Sequence, residues 1–585
     1  MIGNIIAIEN NMIKVKLSID INNQSNLINL HIIFIDGKRK VVGEILDINK
    51  DILSCNILGY ILDDKFTPGS SKKPSFKSLV KLVEMDELEL ILGKQTIDSN
   101  TSINLGTSSI YPNYKVNVKI NDFFSNHFAV LGNTGSGKSF TVSRILQNVF
   151  TSNNYVPINA NIIIFDAYGE YKNAFANFSN ISPMLNYKTY TTNTIYPSDE
   201  ILNIPLWLLG VDDIALLLGA SEHAQLAIIE KALKLVHILN DQNEFSIAYK
   251  NDIIAQTLLD ILMSGKESNK IRDQITAVLS NFNTPSLNLE SILEQPGYSR
   301  PLKQCIFVDK TGKMQEVELV VDYISSFINS NIEITVNNDV AYTLTDLENA
   351  LDFALISEGI LKSDKVFDYA NILSVRLHTL VNSKYSKFFE GKEMITRKSY
   401  IEKLTHTLDG KKVQIINFNI NYVDDTMAKT IVKIISKMIF DYTISLDTRA
   451  SIPFHILIEE AHRYVQNDND NFILGYNIFD RITKEGRKYG VLLGLITQRP
   501  SELSETSISQ CSNFLVLRTL HPKDLEYIKN MVPNVSMDIV NSLKILEPGN
   551  VMAFGNAFSV PINIKIEKPN PEPLSNNANI VNSWF

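Results

Sequence analysis

The sequence predicts an α/β protein with a parallel-sheet core, a small N-terminal β-barrel and a mainly helical insertion. Three observations lead to this prediction. A glycine-rich loop at residues 132–139 lies between an apolar run and a helical run. Further apolar runs alternate with helical segments, which is typical of a doubly wound parallel sheet. Residues 1–112, by contrast, hold short apolar runs separated by turn residues, a pattern that favours a barrel or sandwich.

The barrel is predicted over residues 1–112. Asp36-Gly37 separates two apolar runs, and this dipeptide is a strong hairpin signal. Strands are expected at residues 5–8, 13–17, 30–35, 41–46, 79–83 and 88–92. We expect these short strands to close into a small barrel.

The parallel-sheet core is predicted in two parts, residues 113–204 and 409–566. Residues 162–165 read Ile-Ile-Ile-Phe, and a continuous apolar run of this kind suits a parallel strand buried on both faces. Other core strands are expected at residues 128–131, 413–417, 456–458, 491–497, 514–517 and 551–554. Helices are expected between them.

The segment between the two core parts, residues 205–408, is predicted to be a mainly helical insertion. Its apolar residues recur at helical spacing, as they do at Leu226, Ile229, Leu233 and Val236. A short hairpin is expected at residues 305–308 and 317–321. The tail, residues 567–585, has little helical or strand character. Either a brace for a neighbouring subunit or an unstructured segment is consistent with it.

Composition restricts the class of protein without naming its substrate. Of 585 residues, 44% are hydrophobic and 20% charged, so the chain is able to bury large cores. The net charge of −9 argues against a surface that is basic all over and binds nucleic acid everywhere. It is compatible with a ring whose inner surface is locally basic. The sequence shows no secretory signal and no apolar stretch of membrane-spanning length, so we expect a cytoplasmic protein without a membrane partner. Its three cysteines fit no metal or disulfide spacing and are expected in the core: Cys55, Cys305 and Cys511.

Residues 132–139 read Gly-Asn-Thr-Gly-Ser-Gly-Lys-Ser, a complete phosphate-binding loop. Its glycines let backbone N–H groups turn toward phosphate oxygens. Lys138 is expected to reach the β- and γ-phosphates of ATP, and Ser139 to hold Mg²⁺. The predicted nucleotide-binding residues are Gly132, Asn133, Thr134, Gly135, Ser136, Gly137, Lys138, Ser139 and Phe140.

Two adjacent carboxylates, Glu459 and Glu460, follow the apolar run at residues 454–458. In P-loop ATPases a buried strand delivers a carboxylate to the Mg²⁺ shell, and a neighbouring residue orients the attacking water. We assign Glu459 to the metal and Glu460 to the water. The pair therefore predicts hydrolysis of ATP rather than binding alone. His462 is interpreted as a residue that caps local backbone.

Polar residues flank the predicted strand at residues 491–497. Gln498 follows the strand and is the candidate for contact with the γ-phosphate. Arg487 precedes the strand, at the sheet edge opposite its own nucleotide, and is the candidate arginine finger for a nucleotide on the next subunit. A surface arginine in a basic turn is the competing interpretation. Arg499 and Arg518 are the alternative candidates.

The motif Asp166-Ala-Tyr-Gly-Glu-Tyr171 follows the predicted strand at residues 162–165. Ligands of parallel sheets bind at the carboxyl ends of the strands. Asp166 and Glu170 are therefore candidates to support the metal or the nucleotide, and a polar turn that caps the strand is the alternative.

Taken together, these motifs resemble the HerA branch of the HerA/FtsK superfamily of ring ATPases. The matching signatures are Gly132–Ser139, Asp166–Tyr171, Glu459-Glu-Ala-His462, and Glu485-Gly-Arg-Lys-Tyr-Gly490 with Thr497-Gln-Arg-Pro-Ser501. The resemblance also covers the layout of barrel, core, insertion and C-terminal extension, and the core is then expected to be RecA-like. The paired glutamates, in place of an Asp-Glu pair, favour HerA over FtsK.

The resemblance implies a homohexameric ring that binds ATP and Mg²⁺ between subunits and threads double-stranded DNA through its channel. It also implies a separate partner docked on the barrel face, either a nuclease or, as in antiphage defence systems, a sirtuin-like effector. Two other functions remain open: an ATPase scaffold that activates such an effector with little translocation, and a protein pump. A nucleotide-binding module without turnover is a third alternative, but the presence of Lys138, Glu460 and Gln498 together argues against it. The basic residues Lys384, Lys387 and Lys429 are equally consistent with solvated helix faces, so the sequence does not mark the DNA contacts.

Overall fold

A computed structural model describes most of the chain in two compact units. The described residues are 1–9, 11–18, 27–69, 72–96, 101–151, 156–239, 243–329, 341–362, 364–391, 393–531, 537–574 and 580–584. The first unit comprises Met1–Thr192, Ile401–Asp468 and Asn477–Phe585, and the second comprises Asn193–Tyr400 and Asn469–Tyr476.

The first unit begins with a closed six-stranded barrel, as predicted. The strands of this region are β1 (Gly3–Glu9), β2 (Met12–Leu17), β3 (His31–Asp36), β4 (Arg39–Asn49), β5 (Ile52–Leu62), β6 (Lys65–Pro68) and β7 (Leu79–Leu82). Their order is β2-β1-β7-β3-β4-β5, and antiparallel pairing of β2 with β5 closes the ring. Strand β6 pairs with β5 beside the ring.

Along strands such as β2 and β5, every second residue is buried, and buried side chains of this kind fill the interior of the barrel. In β5, for example, Leu53 and Cys55 are buried while their neighbours are partly exposed. The expected turn at Asp36-Gly37 joins β3 to β4, with Asp36 paired to Arg39 and Gly37 at φ 64°. Glycine suits this position because other residues rarely adopt positive φ.

The prediction of a strand at residues 88–92 is wrong, because this segment belongs to helix α1 (Met85–Leu92). Glu84 and Glu87 form a capping box at its first turn. The buried residues Leu88 and Ile91 are three positions apart, which places them on one helix face. By itself, the run of Leu and Ile fits either a strand or a helix. The capping box formed by Glu84 and Glu87 indicates the helix.

The core of the first unit is a large mixed sheet. Its strands are β8 (Ser102–Ser108), β9 (Lys115–Lys119), β10 (His127–Leu131), β11 (Ile162–Asp166), β12 (Tyr187–Thr191), β16 (Ile415–Asn419), β17 (Phe454–Ile458), β18 (Val491–Thr497), β19 (Cys511–Val516), β20 (Asn550–Gly555) and β21 (Ile562–Lys565). Their order is β12-β16-β11-β17-β18-β10-β19-β20-β21-β8-β9. The strands from β12 to β19 run parallel, and the pairings from β19 through β9 are antiparallel.

The sheet therefore departs from the fully parallel expectation at one edge. Strand β20, predicted as a core strand, pairs antiparallel with β19. The next connection, residues 556–561, is too short for the crossover that a parallel pair needs, so β21 returns antiparallel as well. The parallel part still brings the carboxyl ends of β11, β17, β18 and β10 to a common edge.

Helices connect the strands of the first unit. They are α2 (Ile120–Phe124), α3 (Lys138–Thr151), α4 (Tyr171–Ala174), α5 (Phe178–Ile181), α15 (Asp425–Ile444), α17 (Ile478–Tyr489), α18 (Glu505–Ser509), α19 (Pro522–Met531), α20 (Met537–Ser542) and α21 (Ile580–Trp584), with 3₁₀ turns at Ala461–Arg463 and Pro500–Glu502.

The second unit is mainly helical. Its elements are β13 (Glu200–Ile201), α6 (Val211–Leu218), α7 (His223–Leu239), α8 (Glu244–Leu262), α9 (Ser268–Asn281), β14 (Ile292–Gln295), β15 (Tyr298–Pro301), α10 (Leu302–Cys305), α11 (Val317–Ser325), α12 (Leu344–Lys362), α13 (Asp364–Val381) and α16 (Asp470–Ile473), with 3₁₀ turns at Leu206–Leu208 and Lys384–Phe389. The boundary between the two units falls within α14 (Arg397–Thr405). Across the described parts of both units, no helix combines the length and the apolar character needed to cross a membrane.

The hairpin expected at residues 305–308 and 317–321 is wrong. Val320 and Ile324 are the buried residues of α11, and their spacing of four is helical. The hairpin of this region lies earlier, where β14 and β15 pair around Gly297 at φ 97°. The preceding Pro296 makes a Pro-Gly turn signal that identifies the site from sequence.

The three cysteines are buried and unpaired with one another, as predicted: Cys55, Cys305 and Cys511. Burial raises the pKa of the Cys55 thiol to about 12, so it behaves as an inert core residue.

Candidate nucleotide site

The predicted phosphate-binding loop connects β10 to α3, at the carboxyl edge of the parallel strands. Gly135 and Gly137 have φ values of 73° and 99°, which other residues rarely adopt. Gly132 is required for another reason. A Cβ atom there would lie 2.7 Å from Ser136 Oγ and 2.8 Å from Leu517 Cβ. The loop is therefore held by packing against the chain that follows β19.

Lys138, the first residue of α3, points back into this loop. Its ammonium donates hydrogen bonds to the carbonyl oxygens of Gly132 (2.9 Å) and Asn133 (3.2 Å). Burial lowers the pKa of Lys138, and the negative charges of Glu460 and Glu459 oppose that shift. A buried cation beside two carboxylates is suited to bind phosphate oxygens.

Glu459, the residue after β17, meets the phosphate loop directly. The Ser139 hydroxyl donates to Glu459 Oε1 at 3.2 Å. Glu459 is only 3% exposed, and its pKa is raised well above the usual range by burial and by the nearby Asp166 and Glu170. A cation at this position would reverse that destabilisation of the charged form.

Glu460 adopts the left-handed conformation, with φ 48° and ψ 44°. A non-glycine residue in this region stores strain, and such strain is often found at functional sites. Glu460 is buried, and its Oε2 lies 3.3 Å from His462 Nδ1. Burial raises the pKa of Glu460, while the charges of Lys138 and Arg463 lower it.

The carboxylates at this edge form a donor set that fits Mg²⁺. Among the described residues, Glu459 Oε2 and Glu460 Oε2 are buried without a hydrogen-bond partner. Hard oxygen donors of this kind suit Mg²⁺, which usually takes one or two protein ligands and completes its shell with water and phosphate. Within the described ranges, no group of three or more His, Cys, Asp and Glu side chains has the arrangement of a metal site.

Asp166, at the end of β11, holds the turn that follows it. Its Oδ1 accepts the N–H groups of Gly169 (2.7 Å) and Glu170 (3.0 Å), and its Oδ2 accepts that of Tyr171 (3.0 Å). Asn417 donates a further bond to Oδ2 at 3.1 Å. These contacts match the capping interpretation of Asp166.

Glu170 is the residue of this turn whose carboxyl group turns toward the site. Burial raises its pKa, and the nearby Ser139 hydroxyl and the charge of Lys138 oppose the rise. The turn that Asp166 caps thus places a second carboxyl group beside Ser139 and Glu459.

Gln498, directly after β18, also lies at the loop. Its side-chain oxygen accepts a hydrogen bond from the Thr134 hydroxyl. Beside it, Thr497 Oγ1 lies 3.0 Å from His462 Nδ1 and accepts the Arg499 N–H. The structure therefore assembles the loop, both glutamates and Gln498 at one edge of the sheet, and His462 contacts the neighbouring strand.

Arg487, the candidate arginine finger, lies away from the sheet edge that carries the phosphate loop. It belongs to the last turn of α17, which begins at the N-cap Asn477 and ends at Gly490 (φ 84°). Its charge acts on His127, the first residue of β10, whereas the phosphate loop follows the last residue of that strand. Its side chain is exposed.

The two alternative arginines occupy different surroundings. Arg499 is exposed and pairs with Glu502 at 2.7 Å. Arg518 follows β19, and its carbonyl oxygen accepts the Asn133 N–H at 2.9 Å. Its Nε is buried without a hydrogen-bond partner among the described residues. Arg518 thus lies beside the phosphate loop of its own chain.

Sequence reasoning did not single out Arg463. This arginine follows His462, bonds to Asp425, and lowers the pKa of Glu460 through its charge. The signal was present, because Arg463 is the next residue of the motif that contains both glutamates.

The fold and this site define a P-loop ATPase of the helicase type. Residues 103–356 match the family model described as "Helicase HerA, central domain". The "DNA double-strand break repair helicase HerA" of Pyrococcus furiosus is 24% identical over 90% of this chain and 79% of its own length. The protein of the same description from Sulfolobus acidocaldarius is 24% identical over 89% and 79%. Over most of its length the chain is therefore similar to HerA helicases.

Among solved structures, VirB4 of Thermoanaerobacter pseudethanolicus is similar with a TM-score of 0.46 and 15% identity. That similarity covers 81% of this chain and 98% of VirB4.

Proposed function

We propose that this protein is a ring-forming ATP hydrolase that moves double-stranded DNA and works with a partner nuclease or effector. The observation that supports hydrolysis is the meeting of Ser139 with Glu459 at the phosphate loop, with Glu460 and Gln498 at the same edge. DNA enters the proposal because the two HerA relatives are described as DNA double-strand break repair helicases.

The binding roles follow from the contacts. Backbone N–H groups of the loop and the start of α3 receive the phosphates of ATP, and Lys138 exchanges its bonds to loop carbonyls for bonds to phosphate oxygens. Ser139 and Glu459 would hold Mg²⁺, which neutralises charge on the phosphates when bound. Glu170 supports this pair from the neighbouring turn.

The hydrolytic roles belong to Glu460 and Gln498. Glu460 accepts a proton from the attacking water, and its raised pKa makes it a better proton acceptor than an ordinary surface glutamate. Gln498 contacts the γ-phosphate, so the position of its side chain depends on whether that phosphate is bound. Because Gln498 directly follows β18 and accepts a hydrogen bond from Thr134, this change affects both the strand and the phosphate loop.

Arg487 acts on the neighbouring subunit of a homohexamer in this proposal, because it lies at the sheet edge opposite its own phosphate loop. Arg487→Ala and Glu460→Gln proteins should each lose ATPase activity alone. Mixed rings should regain part of it, since an intact Glu460 can then face an intact Arg487 across an interface.

ATPase rates of mixtures at several ratios measure this recovery. Lys488→Ala, an exposed cation beside Arg487, is the matched control and should keep full activity alone. If no mixture exceeds the summed rates of its two components, Arg487 does not act in trans.

Movement of DNA is tested by adding linear duplex to the ATPase reaction. We expect the duplex to raise the rate several-fold and the wild-type ring to displace a third strand annealed to the duplex, because translocation consumes ATP as the ring advances. The Glu460→Gln protein is the control that binds ATP without displacing the strand. An ATPase rate that duplex leaves unchanged, without strand displacement, would favour the scaffold for an effector instead.

The partner and the compartment also belong to the proposal. We infer that a nuclease or sirtuin-like effector docks on the face of the six-stranded barrel and that the complex works in the cytoplasm. Purification of the tagged chain from its native host, with identification of the associated protein, tests both the partner and its chemistry.

A further inference from the structure

The C-terminal tail, residues 567–585, lies along the ATPase core of its own chain in its first part. Glu567 pairs with Arg144 on α3. One turn further along α3, the buried Gln147 donates to the carbonyl oxygen of Pro571 and accepts the N–H of Asn570, both at 2.9 Å. The same side-chain amide donates to the carbonyl oxygen of Ala174 at 2.9 Å. Gln147 therefore ties three segments together: the tail, the helix that follows the phosphate loop, and the end of α4.

The tail then reaches the turn that carries Glu170. Asn173 donates to the carbonyl oxygen of Glu572 at 2.8 Å. The N–H of Leu574 donates to the carbonyl oxygen of Glu170 at 2.9 Å. Pro573 between these contacts is buried. We name residues 567–574 the C-terminal clasp.

The clasp completes the fixation of Glu170. On one side, the Glu170 N–H donates to Asp166 Oδ1 at 3.0 Å, so the core of the sheet holds it. On the other side, its carbonyl oxygen accepts the Leu574 N–H at 2.9 Å. Both peptide groups that flank the Glu170 side chain are thus anchored, and the tail contributes a bond to one of them. The carboxyl group between them lies near enough to Ser139 and Lys138 for both to lower its pKa.

We propose that the C-terminal clasp positions Glu170 for ATP hydrolysis, with the Leu574 N–H and the Gln147 amide as the positioning groups. The clasp connects the tail to the metal side of the site, so displacement of the tail would slow hydrolysis without touching the phosphate loop. This inference rests on the ATPase activity of the chain and on the proposed support of the metal by Glu170.

The test uses the backbone bond itself. Leu574→Pro removes the N–H, whereas Leu574→Ala keeps it and removes only a side chain that is 47% exposed. In the full-length protein we expect Leu574→Pro to lower kcat about fivefold, the usual effect of one hydrogen bond, and to raise the Mg²⁺ concentration for half-maximal activity. Leu574→Ala should match wild type in both. Asn173→Ala, which loosens the same clasp, should change both quantities in the direction of Leu574→Pro.

A double-mutant cycle separates positioning from a general loss of structure. In a Glu170→Gln background, Leu574→Pro should lower kcat no further, because the group it positions is already neutral. Effects that multiply independently would overturn the proposal, as would equal kcat and Mg²⁺ dependence for Leu574→Pro and Leu574→Ala. Failure of the wild-type chain to hydrolyse ATP would instead refute the proposed function, which keeps the two results distinct.

Discussion

Glu460→Gln is expected to bind ATP normally and to lose about 100-fold or more in kcat. Glutamine keeps the size of the side chain and its hydrogen-bonding oxygen, but it does not accept the proton of the attacking water. The site around it stays intact, because Ser139 and Glu459 meet independently of Glu460. The change also removes a buried charge whose pKa burial raises, so the variant should be no less stable than wild type.

Steady-state ATPase rates and retention of labelled ATP by the purified protein measure the two halves of this expectation. Glu526→Gln is the matched control, because Glu526 is an exposed residue of α19. Wild-type rates in the Glu460→Gln protein would show that another residue activates the water. Loss of ATP binding would show that Glu460 acts in the ground state instead.

The phosphate loop and the two glutamates were predictable because each depends on a short segment with a strict local requirement. The loop needs glycines at positive φ, and the glutamates need a buried strand before them. Parallel strands then bring these distant segments to one edge without further information. The contacts of Ser139 with Glu459 and of Thr134 with Gln498 follow from that topology.

Other features depend on information that the local pattern does not contain. The apolar run within residues 85–92 fits a strand as well as a helix, and only the capping glutamates distinguish the two. The antiparallel edge formed by β20 and β21 depends on a short connection between two well-formed strands. The path of the tail along α3 was not visible either, because its bonds run largely through backbone groups at Asn570, Pro571 and Leu574 rather than through a side-chain motif.

Lys138→Ala is expected to weaken ATP binding about 10- to 100-fold and to abolish measurable turnover. A charge-assisted hydrogen bond contributes about 1.5–3 kcal/mol, and Lys138 is the buried cation of the loop. Its removal also leaves the carboxyl group of Glu460 without the main opposing charge, so the pKa of Glu460 should rise further and fewer molecules should carry the active base. The affinity for ATP and the rate of hydrolysis should therefore fall together.

The loop itself should survive this change, because backbone bonds hold it: Ser136 N–H donates to Asn133 O and Thr141 N–H to Gly137 O. Calorimetric titration with a non-hydrolysable ATP analogue measures the affinity, and thermal unfolding without nucleotide should change little. Lys523→Ala, at an exposed position of α19, controls for the loss of one positive charge. If Lys138→Ala bound the analogue as tightly as Lys523→Ala, the loop would hold nucleotide through its backbone alone, and Lys138 would serve only to balance Glu459 and Glu460.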